Sequence, residues 1–176
     1  RNNAGHWLVK GVGIGGLTES KDVLDMGNSG TSARLLMGLV TPYSFTTFFT
    51  GDDSLRARPM GRVITPLLEM GAAFAARDGN LLPLALKGSA HTHAITYALP
   101  VASAQIKSAI LLAGLNTPGV TTVIESEPTR DHTENMLRFF GVEIITETRA
   151  DGSLAISIAG KQKPKTADHT IYVPGD

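Results

Sequence analysis

The stretch LMGLVTP at residues 36–42 returns as LAGLNTP at residues 112–118. A longer echo follows each copy, because LLEMGAAFAARDGNLLPLAL at 67–86 is similar to LRFFGVEIITETRADGSLAISI at 137–158. Self-similarity at a fixed spacing indicates copies of one supersecondary unit. The echo therefore decides how the rest of the chain is divided.

Two repeat units follow, over about residues 13–88 and about residues 89–160, and residues 161–176 lead out of the second unit. No low-complexity linker separates the units, so we predict a single globular domain over residues 1–176. The chain opens on Arg1 instead of methionine and stops just after a strand-like run. We therefore expect this domain to be a part of a longer protein.

Each unit is predicted to contain a first helix followed by a strand. Apolar residues recur at helical spacing behind a Ser or Thr suited to N-capping in residues 29–40 and 103–115, which predicts a first helix in each unit. Residues 44–50 and 120–126 are rich in Thr, Val and Phe, which favours strands.

A second helix and a hairpin complete each unit. Pro59 and Asp131 are good helix-starting residues, and Gly71 and Gly141 are placed to end the helices. The predicted helices cover 60–70 and 132–140. Two runs on either side of a shared Asp-Gly then predict a β-hairpin in each unit. The predicted hairpin strands are 72–76 with 81–86, and 142–148 with 154–158.

A further strand is expected before the first helix, and residues 95–100 supply it in the second unit. The predicted order within a unit is thus β-α-β-α-β-β, which places the chain in the α/β class. Trp7–Val12 is predicted to be the last strand of an earlier unit. The chain would then hold two full units and the end of a third.

Composition excludes several classes of function. Sixteen basic and sixteen acidic residues balance, which gives no overall field for nucleic acid or an anionic membrane, so we expect neither as a partner. There is no cysteine, and the five histidines are scattered, so we expect no metal and no cofactor. The longest apolar run, 109–115, is far shorter than the roughly 20 residues that span a bilayer. We expect a soluble, cytoplasmic protein.

Two arginines occupy matching positions in the repeat. Arg58 and Arg130 each stand just before a predicted second helix, whose free N–H groups and dipole favour an anion. The repeat therefore selects Arg58 over its neighbours Arg56 and Arg62. The alternative is that these arginines are solvated loop residues or pair with nearby aspartates.

Two helix starts could also bind a polar ligand. The glycine-rich turn at residues 26–36 lets backbone approach a ligand closely, but it lacks the pattern of a nucleotide site and also fits a plain capped turn. Ser103 and Gln105 open the other helix, where Ser103 could simply be an N-cap and Gln105 an exposed residue. Residues 129–135 group acids near His132, which helix-dipole preference explains better than a metal site.

Four motifs carry a family resemblance: GNSGTSARLLMG, TGDDSLRARPMGRVITPLLEMGA, PVASAQIKSAILLAGLNTPG and ESEPTRDHTENMLRFFG. From about Trp7 to Asp176 the chain resembles the 5-enolpyruvylshikimate-3-phosphate (EPSP) synthases, close to their class II branch. The resemblance implies a protein more than twice as long, with two domains of three β-α-β-α-β-β units in the inverse α/β barrel-like fold of enolpyruvyl transferases. Residues 161–176 would then cross toward the second domain.

The same resemblance implies an activity in aromatic amino-acid biosynthesis. Its members transfer the enolpyruvyl group of phosphoenolpyruvate to the 5-hydroxyl of shikimate 3-phosphate. Carried over residue by residue, Arg58, Gln105, Gly30 and Asn28 would bind phosphoenolpyruvate, with which the inhibitor glyphosate competes. Ser103, Ala104, Gln105 and Arg130 would bind shikimate 3-phosphate. We expect a monomer with these small molecules as its partners.

Two departures from the family pattern matter. The Lys-Ser…Arg segment that opens family chains is missing, as are the proton-transferring residues of the second domain. We therefore assign no catalytic residue to this chain and expect it to be inactive alone. Position 30 is glycine where tolerant members can carry alanine, so we expect the whole enzyme to be sensitive to glyphosate.

Two alternatives stay open from the sequence. A UDP-N-acetylglucosamine enolpyruvyl transferase shares the fold and the donor, although its usual active-site cysteine is missing here. A non-enzymatic reading is that the chain acts only as a folded, ligand-binding half-domain.

Overall fold

The computed structural model describes residues 7–165 and 171–172. It contains two four-stranded sheets with helices packed against them. The first unit contains β1 (Leu24–Asp25), α1 (Gly30–Val40), β2 (Thr46–Thr50), α2 (Asp53–Arg56), α3 (Gly61–Glu69), β3 (Ala73–Arg77) and β4 (Leu81–Lys87). The second unit contains β5 (Thr96–Ala98), α4 (Ala104–Leu115), β6 (Val120–Glu125), α5 (His132–Phe139), β7 (Ile144–Thr148) and β8 (Leu154–Ala159).

Both sheets have the same topology. In the first, the strand order is β1-β2-β4-β3, with β1 parallel to β2 and the other neighbours antiparallel. The second repeats this as β5-β6-β8-β7. The predicted β-α-β-α-β-β order is therefore confirmed in the second unit and, with the additional short helix α2, in the first. Strand β1 supplies the opening strand of the first unit, which the sequence did not locate.

Helices α1 and α4 join the two units. Nine of the twelve residues of α4 are buried, as expected for a helix covered on nearly every side. It packs against α1 on one side and against β6 and β8 on another. Gly38 of α1 lies directly on the backbone of Ala109, where a side chain at position 38 would overlap that backbone. Apolar side chains of both units merge into one core.

The helix ends follow the predicted glycines. Gly71 and Gly141 adopt φ of +104° and +75°, directly after α3 and α5. This left-handed conformation is readily available to glycine and ends a helix. Gly79, in the Asp-Gly turn of the first hairpin, has φ of +77° for the same reason.

The elements differ from the predictions at three points. Trp7–Val12 forms no strand, and no described strand pairs with it, so its backbone lacks the neighbour that a strand requires. Helix α3 begins at Gly61, one residue after the predicted start at residue 60, and the N–H of the capping residue Met60 donates to Asn80 O in the hairpin turn. The short helix α2 was not predicted.

The exit from the second unit is only partly described. Residues 166–170 and 173–176 lie outside the described residues, so the predicted crossover over 161–176 stays a prediction. No helix within the described ranges is long and apolar enough to cross a membrane.

Candidate functional site

The starts of α1 and α4 meet at one end of the domain. Ser29 Oγ accepts from the Ser32 N–H at 3.1 Å, and Ser103 Oγ accepts from the Ile106 N–H at 3.4 Å, so a serine caps each helix. The capping prediction for Ser103 is confirmed. Because the two helices belong to different repeat units, this meeting point brings together residues that are far apart in the sequence.

Gln105 spans the two units. Its Nε2 donates to Thr31 Oγ1 at 2.8 Å, and its Oε1 accepts from Arg34 Nη1 at 3.0 Å. The side chain is half-buried, so the alternative of a merely exposed first-turn residue is wrong. Both ends of the amide are fixed, which defines its orientation.

Arg34 is a site residue that the sequence analysis missed. Besides Gln105, its guanidinium donates to Gly30 O at 3.2 Å and to Pro59 O at 3.5 Å. Burial lowers the pKa of Arg34, and the nearby charges of Arg58 and Arg62 lower it further. Three guanidinium groups thus lie close enough to repel one another, which favours an anion between or beside them. The sequence signal that could have identified Arg34 is a charged residue within the largely apolar helical run of residues 29–40.

Arg58 is held by neutral partners. Its Nη2 donates to Asn28 Oδ1 at 2.9 Å and to Ser54 Oγ at 3.0 Å. Asn28 in turn donates to Asp52 Oδ2 at 2.7 Å. Arg58 is therefore neither an unattached loop residue nor the direct partner of an aspartate. The weak ion pair in this loop is instead that of Arg56 with Asp53, at 3.8 Å on the surface.

Asp52 organises the loop that carries Arg58. Its Oδ1 accepts from the Leu55 N–H at 2.8 Å and so caps α2. This hydrogen bond and, after it, the one from Asn28 lower the pKa of Asp52, and the charge of Arg58 adds a smaller effect. The carboxylate thus orients Asn28, whose other amide atom receives Arg58.

Gly30 lies between two of the arginines. A Cβ at this position would stand 2.7 Å from Arg34 Nη1 and 3.6 Å from Arg58 Nη1. The first distance is shorter than real Cβ contacts, so a methyl group would displace the end of the Arg34 side chain. Glycine therefore keeps the space between these guanidinium groups open.

A cleft of about 380 Å³ opens at the start of α4. Arg130 lies at its wall, is exposed, and has no hydrogen bond or ion pair with any described residue. It is therefore not paired with the neighbouring Asp131. The lining residues are Ala102, Ser103, Ala104, Gln105, Thr129 and Arg130.

The predicted site residues thus fall into two neighbouring groups. Asn28, Gly30 and Arg58 lie at the start of α1, and Ser103, Ala104 and Arg130 line the cleft at the start of α4. Gln105 belongs to both, because it lines the cleft and bonds to Arg34. The acids of residues 129–135 form no metal-binding group within the part of the chain that the structure describes.

The chain is similar to one family along nearly its whole length. The family described as EPSP synthase (3-phosphoshikimate 1-carboxyvinyltransferase) matches residues 2–176. The 3-phosphoshikimate 1-carboxyvinyltransferase of Paramagnetospirillum magneticum is 60% identical over 176 residues, which is 100% of this chain and 39% of that protein. The protein of the same name from Novosphingobium aromaticivorans is 58% identical and is covered to 40%.

A solved structure has the same fold. EPSP synthase from Acinetobacter baumannii superposes with a TM-score of 0.81 at 46% sequence identity, over 88% of this chain and 34% of that one. The chain therefore spans about two fifths of the length of the curated relatives that it matches.

Proposed function

The chain belongs to the EPSP synthase family, and from this premise we propose that it forms the half of a 3-phosphoshikimate 1-carboxyvinyltransferase site that binds both substrates. One observation carries the proposal. Gln105 lines the cleft that Arg130 also lines, and its amide is fixed by hydrogen bonds to Thr31 and Arg34 of the first unit. Phosphoenolpyruvate and shikimate 3-phosphate are both anions, and arginine suits both.

Shikimate 3-phosphate is assigned to the cleft at the start of α4. Ser103 Oγ accepts from the Ile106 N–H, which leaves its own O–H able to donate to a phosphate oxygen. The N–H groups of Ala104 and Gln105 belong to the first turn of α4 and have no partner within that helix. Arg130 supplies a guanidinium that no described residue occupies, so the phosphate can be held from two sides.

Phosphoenolpyruvate is assigned to the group around Arg58. Asn28 and Ser54 fix one guanidinium nitrogen of Arg58, which orients the remaining donors toward a ligand. Gly30 leaves room beside them. Glyphosate, an anion that competes with phosphoenolpyruvate, would occupy the same space.

The reaction needs groups that this site does not contain. The 5-hydroxyl loses its proton and attacks the central carbon of phosphoenolpyruvate, while the methylene carbon takes up a proton. Phosphate then leaves as the new methyl group loses a proton, which restores the double bond, so a general acid and a general base are required. We assign them to the part of the longer relatives that has no counterpart in this chain. The chain alone is then expected to bind ligand without turning it over. We also propose a monomeric, cytoplasmic protein, and the absence of cysteine fits the reducing conditions of a cytoplasm.

Binding is tested with the isotope-labelled 176-residue chain by NMR. Shikimate 3-phosphate is expected to shift the resonances of Ser103, Gln105 and Arg130, and shikimate without the phosphate is expected to shift Arg130 far less. The absence of any shift at millimolar ligand would contradict a preformed site.

Activity is tested with a chimera in which this chain replaces the matching segment of the Paramagnetospirillum magneticum relative. We expect phosphate release from phosphoenolpyruvate with shikimate 3-phosphate as acceptor and none with UDP-N-acetylglucosamine. Turnover with the second acceptor alone would show that the other transferase is the better assignment.

A further inference from the structure

Three ionisable side chains are buried together behind the cleft. Lys107 Nζ lies 2.7 Å from Glu134 Oε1 and 3.1 Å from Glu125 Oε1, and the three side chains are only 1%, 3% and 2% exposed. We call these residues the Lys107 cluster. A buried ion pair rarely adds net stability over apolar residues of similar volume, because the charges must first be desolvated. Stability alone is therefore a weak explanation for this cluster.

The cluster connects three elements around the cleft. Lys107 lies in the first turn of α4, two residues after Gln105. Glu125 is the last residue of β6, and Glu134 lies in the first turn of α5. The segment 126–131, which carries Arg130, runs between these two glutamates. Both ends of that segment are consequently tied to the helix start that lines the cleft.

Thr129 extends the cluster to the cleft wall. Its Oγ1 donates to Glu125 Oε2 at 2.7 Å, and its N–H donates to Glu125 Oε1 at 3.4 Å. A further link joins Ser108 Oγ of α4 to Thr133 Oγ1 of α5 at 2.7 Å. Thr129 lines the cleft beside Arg130, so the chain of contacts from Lys107 ends next to the exposed guanidinium.

No buried ion pair of this kind occurs among the described residues of the first unit. By the spacing of LMGLVTP and LAGLNTP, Thr31 stands where the second unit has Lys107, and the buried residues of α3 are all apolar. Arg58 is instead fixed by the hydrogen bonds that its guanidinium donates to Asn28 and Ser54. Among the described residues, buried charges therefore occur only in the second unit, where the guanidinium of Arg130 has no hydrogen-bond partner.

We propose that Lys107, Glu125 and Glu134 are positioning residues that hold Thr129 and Arg130 against the start of α4, so that a phosphate group is gripped from both sides. The proposal rests on the proposed function of the cleft. It concerns the geometry of the binding segment and involves no proton transfer.

The first test replaces the cluster with apolar residues in the 176-residue chain, as Lys107→Met/Glu125→Met/Glu134→Leu. We expect this variant to fold with a Tm equal to or above that of the parent, because no buried charge is left unpaired. Its affinity for shikimate 3-phosphate is expected to fall about tenfold, as for the loss of one or two hydrogen-bonded contacts. The resonances of Asn28 and Arg58 should stay unchanged.

A second variant keeps the test decisive if the triple variant fails to fold. Thr129→Val removes the hydroxyl hydrogen bond to Glu125, keeps the weaker one from the backbone N–H and leaves every charge paired, and we expect it to weaken binding about fivefold. Thr129→Ser keeps the hydroxyl and should restore the affinity. Thr122→Val is the matched control. Thr122 lies on the same strand as Glu125, and the change removes a threonine hydrogen bond to Ser157 outside the cluster.

The order of the segment is measured without ligand. The backbone ¹H–¹⁵N NOE of Thr129 and Arg130 should fall in the apolar triple variant and in Thr129→Val, and not in Thr122→Val. Unchanged NOE values in both variants would overturn the proposal. If the parent binds shikimate 3-phosphate, variants that bind it with the same affinity would overturn the proposal as well. If the parent bound no shikimate 3-phosphate, the proposed function would fail, and the NOE values would still decide whether the cluster positions the segment.

Discussion

The two repeat units build the same frame and fix their arginines by different means. In the first unit, Arg58 is tied through its own guanidinium to Asn28 and Ser54. In the second, Arg130 has no described partner, while the neighbouring Thr129 is tied to Glu125 of the Lys107 cluster. One unit thus fixes the side chain, and the other fixes the backbone beneath it.

This difference indicates how a duplicated unit can serve two ligands. The shared topology places Arg58 before α3 in the first unit and Arg130 before α5 in the second. The surrounding residues then decide how many guanidinium donors stay free for a ligand. Arg130 can offer all of its donors to a phosphate, whereas Arg58 offers those that Asn28 and Ser54 do not occupy.

The largest expected effect comes from breaking the Lys107 cluster at its cation. Lys107→Met leaves two buried carboxylates without a counter-charge, and we expect a loss of about 3–5 kcal/mol in the free energy of unfolding. The matching change in the first unit, Thr31→Val, should cost about 1 kcal/mol or less. Urea unfolding of the 176-residue chain measures both, and equal losses would contradict the contrast between the units.

The next effect separates the two arginines by ligand. In the Paramagnetospirillum chimera, Arg58→Ala should weaken phosphoenolpyruvate binding by about 2–5 kcal/mol, and Arg130→Ala should weaken shikimate 3-phosphate binding over a similar range. Each should affect the other ligand much less. Arg56→Ala is the control, because its ion pair with Asp53 is weak and exposed. The prediction fails if Arg56→Ala and Arg58→Ala give the same loss.

A smaller effect should reach both ligands at once. Arg34→Met removes the donor that holds Gln105 Oε1, and we expect binding of each substrate to weaken by about 1.5–3 kcal/mol. Arg149→Met is the control, since the Arg149 side chain lies in the turn between β7 and β8 and, among the described residues, makes only an exposed ion pair with Asp151 at 3.8 Å. Calorimetry of both variants with each ligand measures this. A loss confined to one ligand would show that Gln105 does not serve both.

The smallest effect on substrate binding is expected at Gly30. In Gly30→Ala the methyl group must displace Arg34 Nη1, which would lie only 2.7 Å away, and it narrows the space beside Arg58. We expect the chimera to become more tolerant of glyphosate, while its KM for phosphoenolpyruvate rises modestly. Gly61→Ala, at the start of α3, is the control, because its Cβ would meet only Asn80. Identical glyphosate inhibition of the parent and Gly30→Ala would refute the assignment.

Much of this frame could be predicted from the sequence because it depends on local signals. Period, caps and glycine stops place the helices, and the echo between the units selects Arg58 and Arg130. The opening strand β1 was not located, since its two residues are too few to show a period. The prediction of a strand at Trp7–Val12 was wrong because a strand-like sequence does not show whether a neighbouring strand is present to pair with it.

The contacts between elements could not be read from the sequence. Gln105 meets Thr31 and Arg34 across more than 70 positions, and neither contact follows from spacing. Lys107 stands beside Gln105 and Ser108 in a helix start, where a lysine usually faces water. Only the packing of β6 and α5 against α4 shows that two glutamates surround it.

The most direct test of the account is a crystal structure of the chimera with shikimate 3-phosphate and phosphoenolpyruvate bound. We predict that the phosphate of shikimate 3-phosphate lies within about 3 Å of both Ser103 Oγ and the Arg130 guanidinium, as a charge-assisted hydrogen bond requires. Phosphoenolpyruvate should contact Arg58 on the other side of Gln105. A structure with both anions on one arginine, or with Arg130 turned out of the cleft, would contradict the division between the two units.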